Sequence, residues 1–231
     1  MTDRRLGVLG GTFDPIHFGH LDAGDAAQRA LGLDEILLIP SRDPPHRAAD
    51  PHASAFHRFA LAALAVQDRE AWRVSDAELG RAGPSYTFDT LRSLQNDGWV
   101  RSQIFFILGA DAFAEIATWR KFPDVLDEAH FVVVARPGVT LDAAAARTPA
   151  LRPRIRTAGD ARDMTRDTGI FLVAGQTRDV SSSAVRARLA AGLSIDDLVH
   201  PAVARHIAAN RLYVTRGAVG HLHGEEQRTH E

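Results

Sequence analysis

The stretch LGVLGGTFDPIHFGH, residues 6–20, limits the architecture of this chain more than any other. Leu6 to Leu9 make a short apolar run of the kind a buried parallel strand shows. Gly10 and Gly11 follow at once, where a side chain would obstruct a tight turn or a close approach of backbone to ligand. Asp14-Pro15 marks a turn, and an alanine-rich helical pattern begins near Phe18. A strand, a glycine turn and a helix start in that order favour an anion, because free N–H groups and the helix dipole point at it. His17 and His20, three apart at the mouth of the helix, face the same way and can donate to one group. The segment therefore predicts a phosphate-handling site. Zinc is the competing use of two such histidines, but the chain has no cysteine and no nearby carboxylate-rich third ligand. No GxxxxGK[ST] or GxGxxG occurs, so neither a P-loop nor a dinucleotide fingerprint accounts for the glycines.

Further along, apolar strands alternate with helical patterns. Ala23, Ala26, Ala27, Ala30 and Leu31 carry helical spacing up to Gly32, and Glu35 to Ile39 reads as a strand stopped by Pro40. The polar, proline-rich residues 41–54 form a loop at the carboxyl end of that strand, where α/β folds place ligand contacts. Phe56, Phe59, Ala60, Ala63 and Leu64 repeat the helical spacing; Trp72 to Ser75 is a short strand; GPSYTFDT leads into a helix through about Gln95. Ile104 to Leu108 is the most apolar strand and runs into Gly109-Ala110-Asp111. His130 to Ala135 and Ile170 to Val173 are further strands, the latter the last of the core, with only weak helices between Thr140 and Asp167. Ser181 to Ala191 and Pro201 to Ala209 read as helices. The residues after Thr215 lack an apolar period and are expected to fray. The alternation predicts a Rossmann-like, doubly wound parallel sheet with helices on both faces, in a single α/β domain.

Composition narrows the function. A net charge of −2 and only 7% aromatic residues disfavour a nucleic-acid partner. No apolar stretch approaches the roughly 20 residues of a membrane span, and MTDRRLGVLGG does not read as a secretory leader. With the absence of cysteine, these features place the expected protein in the cytoplasm, without a membrane partner.

A second constellation lies at DVSSSAVRAR, residues 179–188. Ser181, Ser182 and Ser183 are N-cap candidates for a helix that turns Val185 and Leu189 inward. Arg186 is four residues from Ser182 and three from Ser183, so guanidinium, hydroxyls and terminal amides can share one anion. Taken alone, such a cluster is most often only a cap.

GTFDPIHFGH, directly after the first strand, resembles the signature of the nucleotidyltransferase superfamily, and VSSSAVR resembles its late ISSTxxR motif. PPHR at 44–47, GPSYTFDTL at 83–91, LGADAFAEIATWRKFPDVL at 108–126 and ARPG at 135–138 resemble the nicotinate mononucleotide adenylyltransferases in particular. The resemblance runs from about Leu6 to Tyr213. It implies a nucleotidyltransferase domain over residues 1–215, a flexible tail over 216–231, and a role in NAD biosynthesis.

For individual residues the resemblance implies the following. Gly10, Gly11, Thr12 and Phe13 lie close to ATP, His17 and His20 contact its α- and β-phosphates, and Ser181, Ser182 and Arg186 hold the leaving pyrophosphate. Asp111 faces the nucleotide sugars. Tyr86 and Thr87 meet the pyridine carboxylate, Trp119 stacks on the ring, and His46 and Arg47 lie near the mononucleotide phosphate, with Arg136 as a further basic contact. Mg²⁺ travels on the ATP phosphates, and no residue is assigned as a metal ligand. ATP and nicotinate mononucleotide are the expected partners, and a homo-oligomer is an allowed assembly. Two alternatives stay open: an enzyme preferring nicotinamide mononucleotide, and a nucleotide-binding module without activity.

Overall fold

The computed structural model describes residues 4–45, 50–135, 138, 141–162, 167–175 and 177–214. The strands are β1 (Leu6–Gly11), β2 (Glu35–Pro40), β3 (Trp72–Val74), β4 (Ile104–Gly109), β5 (His130–Val134), β6 (Ile155–Arg156) and β7 (Ile170–Val173). The helices are α1 (Phe18–Leu31), α2 (Ala55–Val66), α3 (Thr87–Asn96), α4 (Ala110–Ala114), α5 (Leu141–Ala146), α6 (Ser182–Ala190) and α7 (Pro201–Ala209), joined by short 3₁₀ turns. Seven strands form one sheet in the order β3-β2-β1-β4-β5-β7-β6, and every pairing is parallel.

Side chains of the central strands alternate between two buried clusters, as the period of a strand requires when both faces are covered. Phe105 and Ile107 of β4, with Val132 and Val134 of β5, pack against α1, α2, α6 and α7. Ile104, Phe106 and Leu108, with Phe131 and Val133, pack against α3 and α4. The sheet is doubly wound, and its order reverses between β1 and β4, the place where such folds bind ligands beyond the strand ends. Gly32 ends α1 in the left-handed conformation, φ +60°, which a residue without Cβ adopts without strain.

Three details depart from the sequence reading. β7 is the last strand in chain order, but an unpredicted two-residue β6 pairs outside it, within the segment read as weak helices. α2 buries a different stripe from the one predicted: Leu61, Ala62 and Ala65 face inward, whereas Phe56 is 79% exposed. An almost wholly apolar helix has no polar face to set its rotation, so packing decides. Ala30, read as part of the apolar stripe of α1, is exposed. The tail over residues 216–231 lies outside the described residues. No helix among the described residues is long and apolar enough to cross a membrane.

His130 opens β5 inside the core, between the rings of Phe105 and Phe171. Its Nδ1 accepts the Gly169 N–H at 3.0 Å and its Nε2 faces the Ser102 carbonyl at 3.1 Å, which fits a neutral ring. Burial pushes its pKa down to about 4 from 6.5, against the raising effect of the Ser102 carbonyl. Because the folded pKa is the lower one, the unfolded chain takes up the proton first. The contribution to stability is complete above pH 6.5 and is lost as pH falls toward 4. We expect a loss of up to about 3 kcal/mol over that window, read by urea unfolding. His130→Gln, neutral throughout, should flatten that slope. Equal slopes in both proteins would contradict the assignment.

Candidate active site

A cleft of about 340 Å³ opens beyond the carboxyl ends of β1 and β4. One wall is the turn Gly10-Gly11-Thr12 with His20, another is Leu108, Gly109 and Asp111, and a third is Ser85, Thr87 and Trp119. Each wall follows from a strand end or a helix start, so the topology places the cleft.

The first wall is built by the N-terminal segment. His17 is the N-cap of α1 and is buried; His20, one turn later, lines the cleft. The two imidazoles stack with centroids 3.7 Å apart. His20 Nδ1 accepts the backbone N–H of His17 at 3.2 Å. That bond leaves Nε2 as the protonated nitrogen, so the ring presents an N–H donor at a helix N-terminus. Phe13 sits edge-on to His20, with centroids 5.1 Å apart, and has φ +51° while buried. A bulky residue in that region is strained, and such strain persists only where neighbours over-determine the conformation.

Those neighbours are Arg58 and Asp14, both in the core. Arg58, 1% exposed, donates to the carbonyls of Thr12 at 2.7 Å, Ser41 at 2.6 Å, Ala53 at 3.2 Å and Arg42 at 3.2 Å. One planar guanidinium thus ties the turn after β1 to the loop after β2. Asp14 accepts the amides of His52 at 2.8 Å and Ala53 at 3.0 Å, with the His52 ring Nδ1 3.3 Å from the same carboxylate. Burial pulls the Asp14 pKa up, but these donors outweigh it and hold the carboxylate below its ordinary 3.8. Burial and the neighbouring Asp14 charge push the Tyr213 hydroxyl well above its usual range.

The late cluster reaches the same turn. Ser181 is the N-cap of α6, its Oγ accepting the Ala184 N–H at 3.1 Å. Ser182 Oγ donates to the Pro15 carbonyl at 2.9 Å, and Arg186 donates to the Asp14 carbonyl at 2.6 Å. A Cβ on Gly19 would sit 3.2 Å from both the His17 ring and the Val180 carbonyl oxygen, so the two helix starts approach without room for a side chain. Residues 167 and 172 positions apart in sequence are therefore neighbours around one turn. The hydroxyl of Ser182 and the guanidinium of Arg186 are engaged with that turn's backbone. What α6 offers an anion is its first-turn amides, those of Ser182 and Ser183, which precede the first intrahelical bond.

Across the cleft, Tyr86 caps α3 and Thr87 opens it. Arg120 stacks 4.5 Å above the Tyr86 ring and pairs with Asp89 at 2.8 Å. Trp119 is half-buried, edge-on to Phe106 at 6.0 Å, and lines the cleft. Asp111 is exposed on the first turn of α4 and faces the same space. Gly10, Gly11 and Thr12 also line the cleft, whereas Phe13 supports it from below. His46, Arg47 and Arg136 lie outside the described residues.

Sequence reading missed Asp14 as a buried carboxylate, and with it Arg58, Tyr213, Glu78 and Ser85. Arg58 left one trace, a lone cation amid the apolar run AFHRFALAALAV. Glu78, buried at the cleft wall, left none.

The cytidylyltransferase-like family model matches residues 8–188. A protein of Roseiflexus sp. (strain RS-1), named probable nicotinate-nucleotide adenylyltransferase, is 39% identical over 215 residues, covering 92% of this chain and 100% of its own. One of the same name from Symbiobacterium thermophilum is 38% identical, covering 96% and 99%. Among solved structures, the Plasmodium falciparum nicotinic acid mononucleotide adenylyltransferase complexed with NaAD superposes with a TM-score of 0.69. It is 18% identical and the match covers 91% of this chain and 97% of that one, a likeness of fold. With these similarities added to the cleft at the β1–β4 switch point, the chain belongs to the cytidylyltransferase-like family, among the nicotinate-nucleotide adenylyltransferases.

Proposed function

We propose that the cleft transfers the adenylyl group of ATP to nicotinate mononucleotide, giving nicotinate adenine dinucleotide and pyrophosphate for NAD biosynthesis. The observation that carries this reading is the meeting of the α1 and α6 starts at one turn, through Ser182 on Pro15 and Arg186 on Asp14. Two helix N-termini that meet at one turn suit a triphosphate. The acceptor phosphate is already nucleophilic at neutral pH. Its oxygen forms a bond to the α-phosphorus as the bond to the bridging oxygen of pyrophosphate breaks, in line, with no general base required. Positioning and preorganised donors then supply the catalysis. His20 Nε2–H faces the α-phosphate from α1, and the amides of Ser182 and Ser183 receive the departing pyrophosphate.

ATP enters as its Mg²⁺ complex. The cation is carried on the phosphates with its waters. Asp111, exposed at the cleft, is the carboxylate available to the ribose hydroxyls or to a water of that cation.

Trp119 and Thr87 form the acceptor wall, with the backbone amide of Thr87 facing the pyridine carboxylate. Pyrophosphate release from ATP with each candidate acceptor tests the whole reading. Nicotinate mononucleotide should support turnover well above nicotinamide mononucleotide and phosphopantetheine. Release with none of them would leave a binding module instead. In Trp119→Ala the loss of one aromatic face should raise KM for the mononucleotide by roughly tenfold, with KM for ATP little changed. An unchanged acceptor KM would make Trp119 a packing residue only.

A further inference from the structure

Glu78 is 6% exposed, yet it lines the cleft beside Thr87 and Trp119. It takes no part in the chemistry described above, and a buried carboxylate in a site meant for an anionic pyridine needs an explanation. Its partners supply one. Thr90 of α3 donates its hydroxyl to Glu78 Oε1 at 2.5 Å, while Arg81 supports the same Thr90 oxygen at 2.9 Å and lies 3.9 Å from the carboxylate. Ser85 Oγ accepts the amides of Arg42 at 3.0 Å and Asp43 at 3.4 Å, which occupies its lone pairs. The Ser85 hydroxyl also acts on the Glu78 carboxyl, lowering its pKa. Ser85 N–H bonds the Asp43 carbonyl at 2.8 Å, and the Arg42 guanidinium returns to the carbonyls of Leu79 and Arg81 at 3.4 and 3.1 Å.

We infer that Glu78 is a positioning residue for the acceptor: its buried carboxylate, bonded to Thr90 one turn into α3 and lining the cleft beside Ser85 and Thr87, welds its own loop to the start of α3 and so fixes the acceptor half of the cleft. Loss of that acceptor leaves a buried hydroxyl unpaired beside the start of α3, while the bonds of Ser85 to Arg42 and Asp43 remain, so the acceptor wall is displaced rather than released. The ATP half, held by Arg58 and Asp14, has its own anchors and is spared. Burial raises the Glu78 pKa above its ordinary 4.5, against the lowering effect of Thr90, Ser85 and Arg81, so the weld weakens on acidification at higher pH than an exposed glutamate would titrate. The charged groups around it are Arg81 from its own loop, Arg42 and Asp43 from the loop after β2, and Asp111 across the cleft, while α3 presents the uncharged Thr90.

The inference rests on the functional reading above, so wild-type pyrophosphate release with nicotinate mononucleotide is the first arm; its absence refutes that reading rather than this one. The second arm compares wild type, Glu78→Gln and Glu78→Asp. Stranding one buried hydroxyl should raise KM for the mononucleotide by roughly tenfold to a hundredfold in Glu78→Gln, with KM for ATP and kcat within about threefold. Glu78→Asp, which keeps the charge, should recover part of the loss. The wild-type to Glu78→Gln ratio of acceptor kcat/KM should fall as pH drops from 7 toward 5, a comparison in which the substrate phosphate's own titration cancels. Equal rises in both KM values, no rise in either, or a flat ratio would overturn the assignment.

Discussion

Arg58→Ala is expected to destabilise the fold by about 3–5 kcal/mol, the largest loss of stability we foresee from a single substitution. The guanidinium is buried and satisfies carbonyls of Thr12, Ser41, Arg42 and Ala53. Removing it strands those acceptors where water does not reach. For a chain of this size the melting temperature should drop by roughly 10 °C. Arg58→Lys should restore only part of the loss, since one ammonium cannot fork to carbonyls on both loops. Urea unfolding of the three proteins decides the matter. A loss under about 1 kcal/mol would show that the loops are held by something else. The same substitution bears on catalysis, because the bond to Thr12 supports the strained backbone at Phe13 and hence the seat of His20.

His20→Ala is expected to lower kcat by about 10²–10³-fold, with folding preserved. The His17 N–H on Nδ1 leaves Nε2 as the donor nitrogen of a ring that lines the cleft, preorganised for charge that grows in the transition state. A donor that acts mainly there lowers kcat and kcat/KM together and leaves KM for ATP nearly unchanged. His20→Gln keeps an N–H of similar reach and should recover part of the rate. The ring is half-buried, so its loss trims a stack on His17 and leaves the core intact. A kcat within threefold of wild type would remove His20 from the mechanism.

Much of the fold was legible because apolar runs bounded by Gly and Pro leave little choice. Leu6–Leu9, Glu35–Ile39, Ile104–Leu108 and Ile170–Val173 fall within β1, β2, β4 and β7. The parallel, doubly wound sheet follows from their alternation with helices. The two-residue β6 was not legible, since Ile155-Arg156 is too short to show a period. The stripe that α2 buries was not legible either, because a helix apolar on most sides fits several rotations.

At the site, the resemblance of GTFDPIHFGH and VSSSAVR to the two nucleotidyltransferase motifs identified which segments meet. It did not say what their side chains bond. Ser182 and Arg186 grip the carbonyls of Pro15 and Asp14, a choice made by distant backbone that no local pattern records. The same holds for Arg58 and Glu78, whose partners come from loops brought together only by the finished sheet.

The most direct test of the central claim is a crystal structure with a non-hydrolysable ATP analogue and nicotinate mononucleotide bound together. The account predicts one triphosphate with an α-phosphate oxygen on His20 Nε2 and its outer phosphates against the amides of Ser182 and Ser183. A triphosphate that touches only one of these helix starts, with the other turned to solvent, would contradict it.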